Sequence, residues 1–327
     1  MMKIKTFLLL ILPVLAHDAS GDTVDIREWL VPWENSGPAH AHVDSGGRVW
    51  FAGVQDHYIA NFSPESGEFN RYDLRKGTAP TSLAIDANRV IWFASSKRRH
   101  IGSLDPSTGR VGEFAMPDRK AKDPASITLD DTGNLWFTVE DSNFIGRLTM
   151  ATGEVEVAPL PTKKLRPHGI VISPDGSPWA AAAGQNALLR INPSSMSITE
   201  IRTPNADSRF RRIVATSDNR IWYADYEFGS IGRYDPQNGE FTEWALPGGA
   251  DSRPYGMAVD RNDRIWLVET GRSPNRLVGF DTGTESFLTQ TDIPSGAGLV
   301  TDMYYYEPAG EIWFGTETNY IGRAKVH

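Results

Sequence analysis

The chain has 327 residues, no cysteine, 33 basic and 41 acidic side chains, and a formal net charge of −8. A hydrophobic content of 40% with 23% charged residues is ordinary globular composition and excludes a wholly disordered chain. The missing thiols exclude disulfides, thiolate metal centres and cysteine nucleophiles. An acidic chain of pI near 5.4 is a poor partner for nucleic acid, whose phosphates need a basic surface.

The N-terminus reads as an export signal. Lys3 and Lys5 flank a short basic start, Thr6 to Leu15 is almost wholly apolar, and Val14 and Ala16 offer a cleavage site near residue 16. The apolar run is too short to span a bilayer, and nothing later in the chain is long enough. The expected organisation is a signal peptide over residues 1–16 and a single domain over 17–327, secreted or periplasmic in a bacterium, with no membrane span. A domain of that size can be stable on its core alone, and a monomer is expected.

A single strand-like segment, Val24 to Trp29, comes next and has no partner nearby in sequence. Then a repeat begins. Trp50, Trp92, Trp136, Trp179, Trp222, Trp266 and Trp313 recur at spacings of 42, 44, 43, 43, 44 and 47 residues. Before each Trp lies a segment alternating with period two, such as Leu83/Ile85 and Ile127/Leu129, then a polar turn such as Asp130-Asp131-Thr132-Gly133. The Trp sits in an apolar run, for example Ile91-Trp92-Phe93, as in a strand buried on both faces. An Ile-Gly-Arg element follows (Ile145-Gly146-Arg147, Ile231-Gly232-Arg233, Ile321-Gly322-Arg323). A turn like Asp235-Pro236-Gln237-Asn238-Gly239 then leads to a fourth strand. Four antiparallel strands in about 43 residues, seven times over, predict an all-β, seven-bladed β-propeller. The last unit stops after three strands, so the segment Val24 to Trp29 is expected to complete blade 7 and leave no open edge.

The repeat text, with Pro167-His168-Gly169-Ile170, Pro254-Tyr255-Gly256-Met257 and Gly310-Glu311-Ile312-Trp313-Phe314, resembles the streptogramin B lyase (virginiamycin B lyase) family over all seven blades. The resemblance implies a lyase that opens a cyclic depsipeptide at its ester by Mg²⁺-assisted elimination. It also implies histidines at the starts of blades 6 and 7, the second acting as base, and two glutamates on the metal. Carried over, the later metal-binding Glu falls at Glu317. Tyr255 stands at the blade 6 histidine, Asp302 or its neighbour Met303 at the base, Val300 near the earlier Glu, and Ala39 at a substrate-side Tyr of blade 1.

Read without the family, two sets of residues share one face. One lies eleven residues before each Trp and includes His168, Arg211, Tyr255 and Asp302; the other lies three or four after it and includes Glu140, Asp225, Glu269 and Glu317. Their polar members concentrate on blades 4 to 7, which predicts an off-centre ligand pocket there. His168 and Asp302 are the candidate catalytic groups, and Arg211 and Tyr255 the candidate substrate contacts. Asp225, Glu269 and Glu317 are candidate oxygen ligands for Mg²⁺, with Ca²⁺ as the alternative and no organic cofactor. Arg211 and Arg212 pairing with Asp225 or Asp302 is the competing structural reading. His40 and His42 lie close together on one strand, but the sequence offers them no third ligand for zinc. No Gly-x-Ser-x-Gly, His-Glu-x-x-His or phosphate loop occurs.

The expected function is a metal-assisted, lyase-like enzyme acting on a cyclic or ester-containing small molecule in the central channel. A non-catalytic ligand- or protein-binding propeller and a Ca²⁺-dependent lactonase-like hydrolase are the alternatives. Streptogramin opening itself is expected to suffer from the missing base histidine.

Overall fold

A computed structural model describes residues 23–326; the expected signal peptide lies outside the described residues. Seven four-stranded antiparallel sheets are present, and blades 1 to 6 each use four consecutive strands, over residues 38–73, 80–115, 124–159, 167–202, 210–245 and 254–292. Their innermost strands neighbour one another in sequence order, and that of blade 7 returns to that of blade 1, closing a ring. This is the predicted seven-bladed propeller.

Blade 7 takes three strands from the C-terminal end (Met303–Tyr306, Glu311–Gly315, Tyr320–Lys325) and its outermost strand, Asp25–Leu30, from the N-terminal one. The register runs from Asp25 opposite Lys325 to Leu30 opposite Tyr320. Trp29 stacks on Trp313 at 5.6 Å between ring centres and tilts against Phe62 of blade 1 at 5.2 Å. Glu28 accepts hydrogen bonds from the Ser295 backbone N–H and hydroxyl, both at 2.6 Å. The closure is therefore apolar at its centre and pinned by a carboxylate at its rim.

The repeat text has a packing reason. Each tryptophan of the second strand packs against the next blade: Trp50 against Leu83 and Phe93 of blade 2, Trp179 against Phe210 and Tyr223 of blade 5, Trp313 against Val43 and Phe51 of blade 1. The Asp six residues earlier accepts the indole N–H in four blades (Asp44–Trp50 2.8 Å, Asp86–Trp92 2.9 Å, Asp130–Trp136 2.7 Å, Asp260–Trp266 3.0 Å) and also ties its own turn through backbone N–H groups. In blades 3, 5 and 7 the glycine of Ile-Gly-Arg lies opposite the aromatic that follows the Trp: a Cβ on Gly146 would stand 2.0 Å from the Phe137 ring. The arginine after it covers the tryptophan face, Arg147 over Trp136 and Arg233 over Trp222 at 5.5 Å.

One feature was not legible in the repeat. In the first six blades the register between the inner strand and its neighbour slips near the strand's start. In blade 4, for example, Pro167 pairs with Ala182 but Ile170 with Ala180, so His168 and Gly169 together oppose Ala181. These are β-bulges, which re-aim side chains. Arg211 and Arg212, and Tyr255 and Gly256, occupy the equivalent bulges, and in blade 1 the bulged pair is His40 and Ala41. Among the described residues no helix is long and apolar enough to cross a membrane.

Candidate functional site

The bulges deliver two polar networks to the inner face of the ring. The first joins blades 3 to 6. Glu140, at the end of a blade 3 hairpin, faces His168: Nδ1 lies 2.9 Å from Glu140 Oε2. On the other side of the imidazole, Nε2 lies 3.2 Å from the Tyr255 hydroxyl, with the two rings perpendicular. Arg166 and Arg211 both reach Glu140 Oε1, at 3.2 and 3.4 Å. The His168 backbone carbonyl accepts the Thr138 hydroxyl at 2.7 Å, which anchors the bulge itself.

The protonation pattern follows from chemistry. Burial pushes the Glu140 carboxyl up, but the His168 hydrogen bond and charge, then Arg211 and Arg166, outweigh it and hold the group below its usual range. It is therefore an anion that can only accept. Burial pushes the His168 imidazole down; Glu140 opposes this, while Arg212 and Arg211 add to it, and the net shift is downward. His168 is thus neutral near pH 7, with its proton on Nδ1 and a lone pair on Nε2. Burial, partly countered by Arg212 and Arg211, raises the Tyr255 phenol, which stays protonated and donates to that lone pair.

The second network joins blades 5, 7 and 1. Asp302 precedes the inner strand of blade 7 and takes three partners: His40 Nδ1 at 2.7 Å, Arg212 Nη1 at 3.3 Å and His42 Nε2 at 3.6 Å. Arg212 also donates from Nε to the Thr301 carbonyl at 2.7 Å. Burial raises the Asp302 carboxyl, but Arg212 and then His40 overcome this and hold it well below the usual carboxylate range. Burial depresses His40 against the pull of Asp302. Arg212 influences both His168 and Asp302, so it links the networks.

The structure thus brings His168, Tyr255 and Arg211 together and sets Asp302 among basic groups one network away. The competing structural pairing of the arginines holds for Arg212 with Asp302, whereas Arg211 goes to Glu140 and not to Asp225. The proposed carboxylate ligands are not assembled. Glu269 is fully buried and engaged: Arg276 approaches its Oε2 from Nε at 2.8 Å and from Nη2 at 2.6 Å, and the Gly248 N–H donates to Oε1 at 2.7 Å. Asp225 is buried at a turn, where Oδ1 accepts the backbone N–H groups of Arg209 and Glu227 at 3.2 and 3.0 Å. Glu317 is exposed, and beside it Val300 is an apolar residue of the core. These residues do not fit a Mg²⁺ or Ca²⁺ site, which needs several oxygens converging on one point. Among the described residues, the one group of three such side chains with ligand atoms all within 4.8 Å of one another is His40, His42 and Asp302.

Ion pairs engage several side chains of the rim expected over blades 4 to 7. A cavity of about 290 Å³ is lined by His42, Ala84, Asp86, Ile127 and Tyr304 among others, where the inner strands of blades 1 to 3 end. Sequence reasoning passed over Glu140 and Arg166. Glu140 stood in the rim set, but nothing in one dimension indicated that it faces the histidine of the next blade.

The model of the virginiamycin B lyase family matches residues 20–277 and again residues 159–327. Among solved structures, the chain is similar to selenomethionine-substituted virginiamycin B lyase from Staphylococcus aureus (24% identity, 93% of this chain and 100% of that one, TM-score 0.84). It is similar also to a catalytically inactive variant of virginiamycin B lyase from Staphylococcus aureus with quinupristin (25% identity, 93% and 100%, TM-score 0.84). Hydrazine synthase from Kuenenia stuttgartiensis shares the fold at 13% identity, with 90% of this chain and 97% of that one covered and a TM-score of 0.74. No curated protein matches the chain in sequence.

Proposed function

The chain belongs to the virginiamycin B lyase family, and from that premise we propose that it is an exported carbon–oxygen lyase for an ester-containing or cyclic small molecule, with His168 as its base. The observation that carries this reading is the Glu140–His168–Tyr255 relay, with 2.9 Å on one side of the imidazole and 3.2 Å on the other. A carboxylate that fixes Nδ1–H leaves Nε2 as the basic atom, and an imidazole that is neutral near pH 7 is in the form that accepts a proton. Asp302 is the weaker candidate, because a carboxylate held well below its usual range has little affinity for a proton.

In the elimination so proposed, the Tyr255 hydroxyl gives up its hydrogen bond to Nε2 as substrate enters, and Nε2 takes the proton from the carbon next to a carbonyl. The C–H electron pair becomes the new C=C bond as the neighbouring C–O bond of the ester breaks, and the carboxylate leaves with the electrons of that bond. Negative charge gathers on the carbonyl oxygen in the transition state, and Arg211, 40% exposed at its side chain and paired with the same Glu140 as His168, is the cation proposed to meet it. The carboxylates expected to hold Mg²⁺ are engaged elsewhere or stand apart, so the elimination proposed draws on the chain's own side chains.

A second reading has its own support. Arg166 and Arg211 meet on Glu140, and Arg212 on Asp302, so a ligand carrying carboxylates can exchange with these pairs and bind without being transformed. One assay separates the two. The purified protein is incubated with cyclic depsipeptides, lactones and linear esters, with and without Mg²⁺, and products are read by mass spectrometry. Ring opening by elimination leaves the mass unchanged, hydrolysis adds one water, and binding alone gives neither. Turnover by elimination that falls in both His168→Ala and Glu140→Gln supports the lyase. Type B streptogramins themselves should open slowly or not at all, and rapid Mg²⁺-dependent opening would assign the base to blade 7 instead. Export is checked by sequencing the N-terminus of protein taken from its native envelope, which should begin near His17.

A further inference from the structure

His40 is out of place as an ordinary core residue. It is 4% exposed and has φ = 54°, a left-handed conformation that a histidine holds only at a cost. It sits in the blade 1 bulge, and His40 and His42, two residues apart on one strand, both meet Asp302 from the other end of the chain. Their ligand atoms all lie within 4.8 Å of one another. Tetrahedral bonds of about 2.0–2.1 Å would place such atoms roughly 3.3 Å apart; His40 Nδ1 and His42 Nε2 lie 2.7 and 3.6 Å from Asp302 Oδ2.

We propose that His40, His42 and Asp302 form a binding site for a divalent transition-metal ion, with Zn²⁺ as the simplest occupant. Two imidazole nitrogens and one carboxylate oxygen suit Zn²⁺ or Fe²⁺ and not Mg²⁺ or Ca²⁺, which favour oxygen alone. The surroundings hold the ligands in place. Arg212 engages the other carboxylate oxygen, Oδ1, and leaves Oδ2 turned to the histidines. The His42 ring is stacked on Tyr304 at 4.4 Å with a 21° tilt. His42 and Tyr304 also line the 290 Å³ cavity, so a fourth coordination position can face a space large enough for water or a small ligand. The site shares no ligand atom with the His168 relay, and Arg212 acts on both.

The test uses the full mature chain stripped of metal. Zn²⁺ is titrated by calorimetry, and Co²⁺ is followed by its visible absorption as a report on coordination number. One equivalent should bind, with the intense Co²⁺ bands of a four- or five-coordinate site. His42→Ala and Asp302→Asn should each weaken Zn²⁺ binding by more than the roughly 10–100-fold that loss of an outer-shell partner costs. His42 is half-buried at the channel wall, so its alanine variant keeps the test meaningful if Asp302→Asn fails to fold. His168→Ala should bind Zn²⁺ as the parent does. No stoichiometric binding, or binding unaltered in His42→Ala, would overturn the proposal; loss of binding in His168→Ala would move the metal to the first network and overturn it as well.

Discussion

Replacing Glu140 by Gln removes one negative charge and little else, and the structure says where the cost falls. Arg166 and Arg211 are 45% and 40% exposed at their side chains. Ion pairs that open to water contribute well under about 1 kcal/mol each. The His168 contact is different, because both side chains are about 15% exposed and the bond runs to a charged acceptor. Such a bond contributes about 1.5–3 kcal/mol and one to a neutral acceptor about 0.5–1.5; glutamine keeps an acceptor oxygen, so the expected loss of stability is the difference, about 1–1.5 kcal/mol, nearly all of it through His168. The same change shifts the imidazole. Glu140 is the main influence raising the His168 pKa against burial and the two arginines; without its charge the pKa should fall further. Urea unfolding measures the first effect, and a histidine titration followed by ¹⁵N-edited NMR measures the second. In the parent the NMR spectrum should also show the proton on Nδ1. A His168 pKa that rises in Glu140→Gln, or a stability within about 0.5 kcal/mol of the parent, as for an ordinary surface change, would refute the assignment of Glu140 as the group that sets this histidine.

Three further outcomes are expected. Deleting residues 23–31 should expose the blade 7 edge and the Trp313 face, giving aggregation or a large fall in melting temperature; an unchanged temperature would show that the N-terminal strand does not hold the ring. Asp44→Ala should cost about 1–3 kcal/mol in urea unfolding, because it strands the indole N–H of the 2% exposed Trp50, and Asp44→Asn should recover much of that. Stability should fall as pH drops below about 6.5, since His40, His100 and His168 all have lowered pKa values in the folded chain and the unfolded chain takes up their protons first. The slope should not exceed about 1.4 kcal/mol per pH unit for each histidine; a stability maximum below pH 6 would contradict it.

The ring was legible in the sequence because its causes are local and repeated. A tryptophan that must pack on the next blade, a glycine that must pass under an aromatic ring and an aspartate that ties a turn recur every 43 residues or so. Repetition separates them from noise. The site was only half legible, for the opposite reason: it is made where the repeat is broken. His168, Arg211 and Tyr255 could be placed on one face by counting back from each Trp, and they do meet. Their partners could not be found that way. Glu140 is one blade removed from His168 and Tyr255 two blades, so their contacts depend on how tightly the blades close and not on any spacing in the chain.

Asp302 shows the limit most sharply. Counting placed Ala39, not His40, on the inner face of blade 1, because a strict period of two cannot anticipate a bulge. The bulge falls on the next residue, His40, which has φ = 54° and meets Asp302. The two histidines therefore lacked a third ligand in the sequence, and Asp302, 262 residues beyond His40, lacked any partner except the arginines. Only ring closure, the contact of the first blade with the last, brings the three together. A group assembled across that seam depends on the N-terminal strand that seals it. Damage to blade 7 closure should therefore weaken metal binding at His40, His42 and Asp302 before it disturbs the His168 relay, which lies within blades 3 to 6.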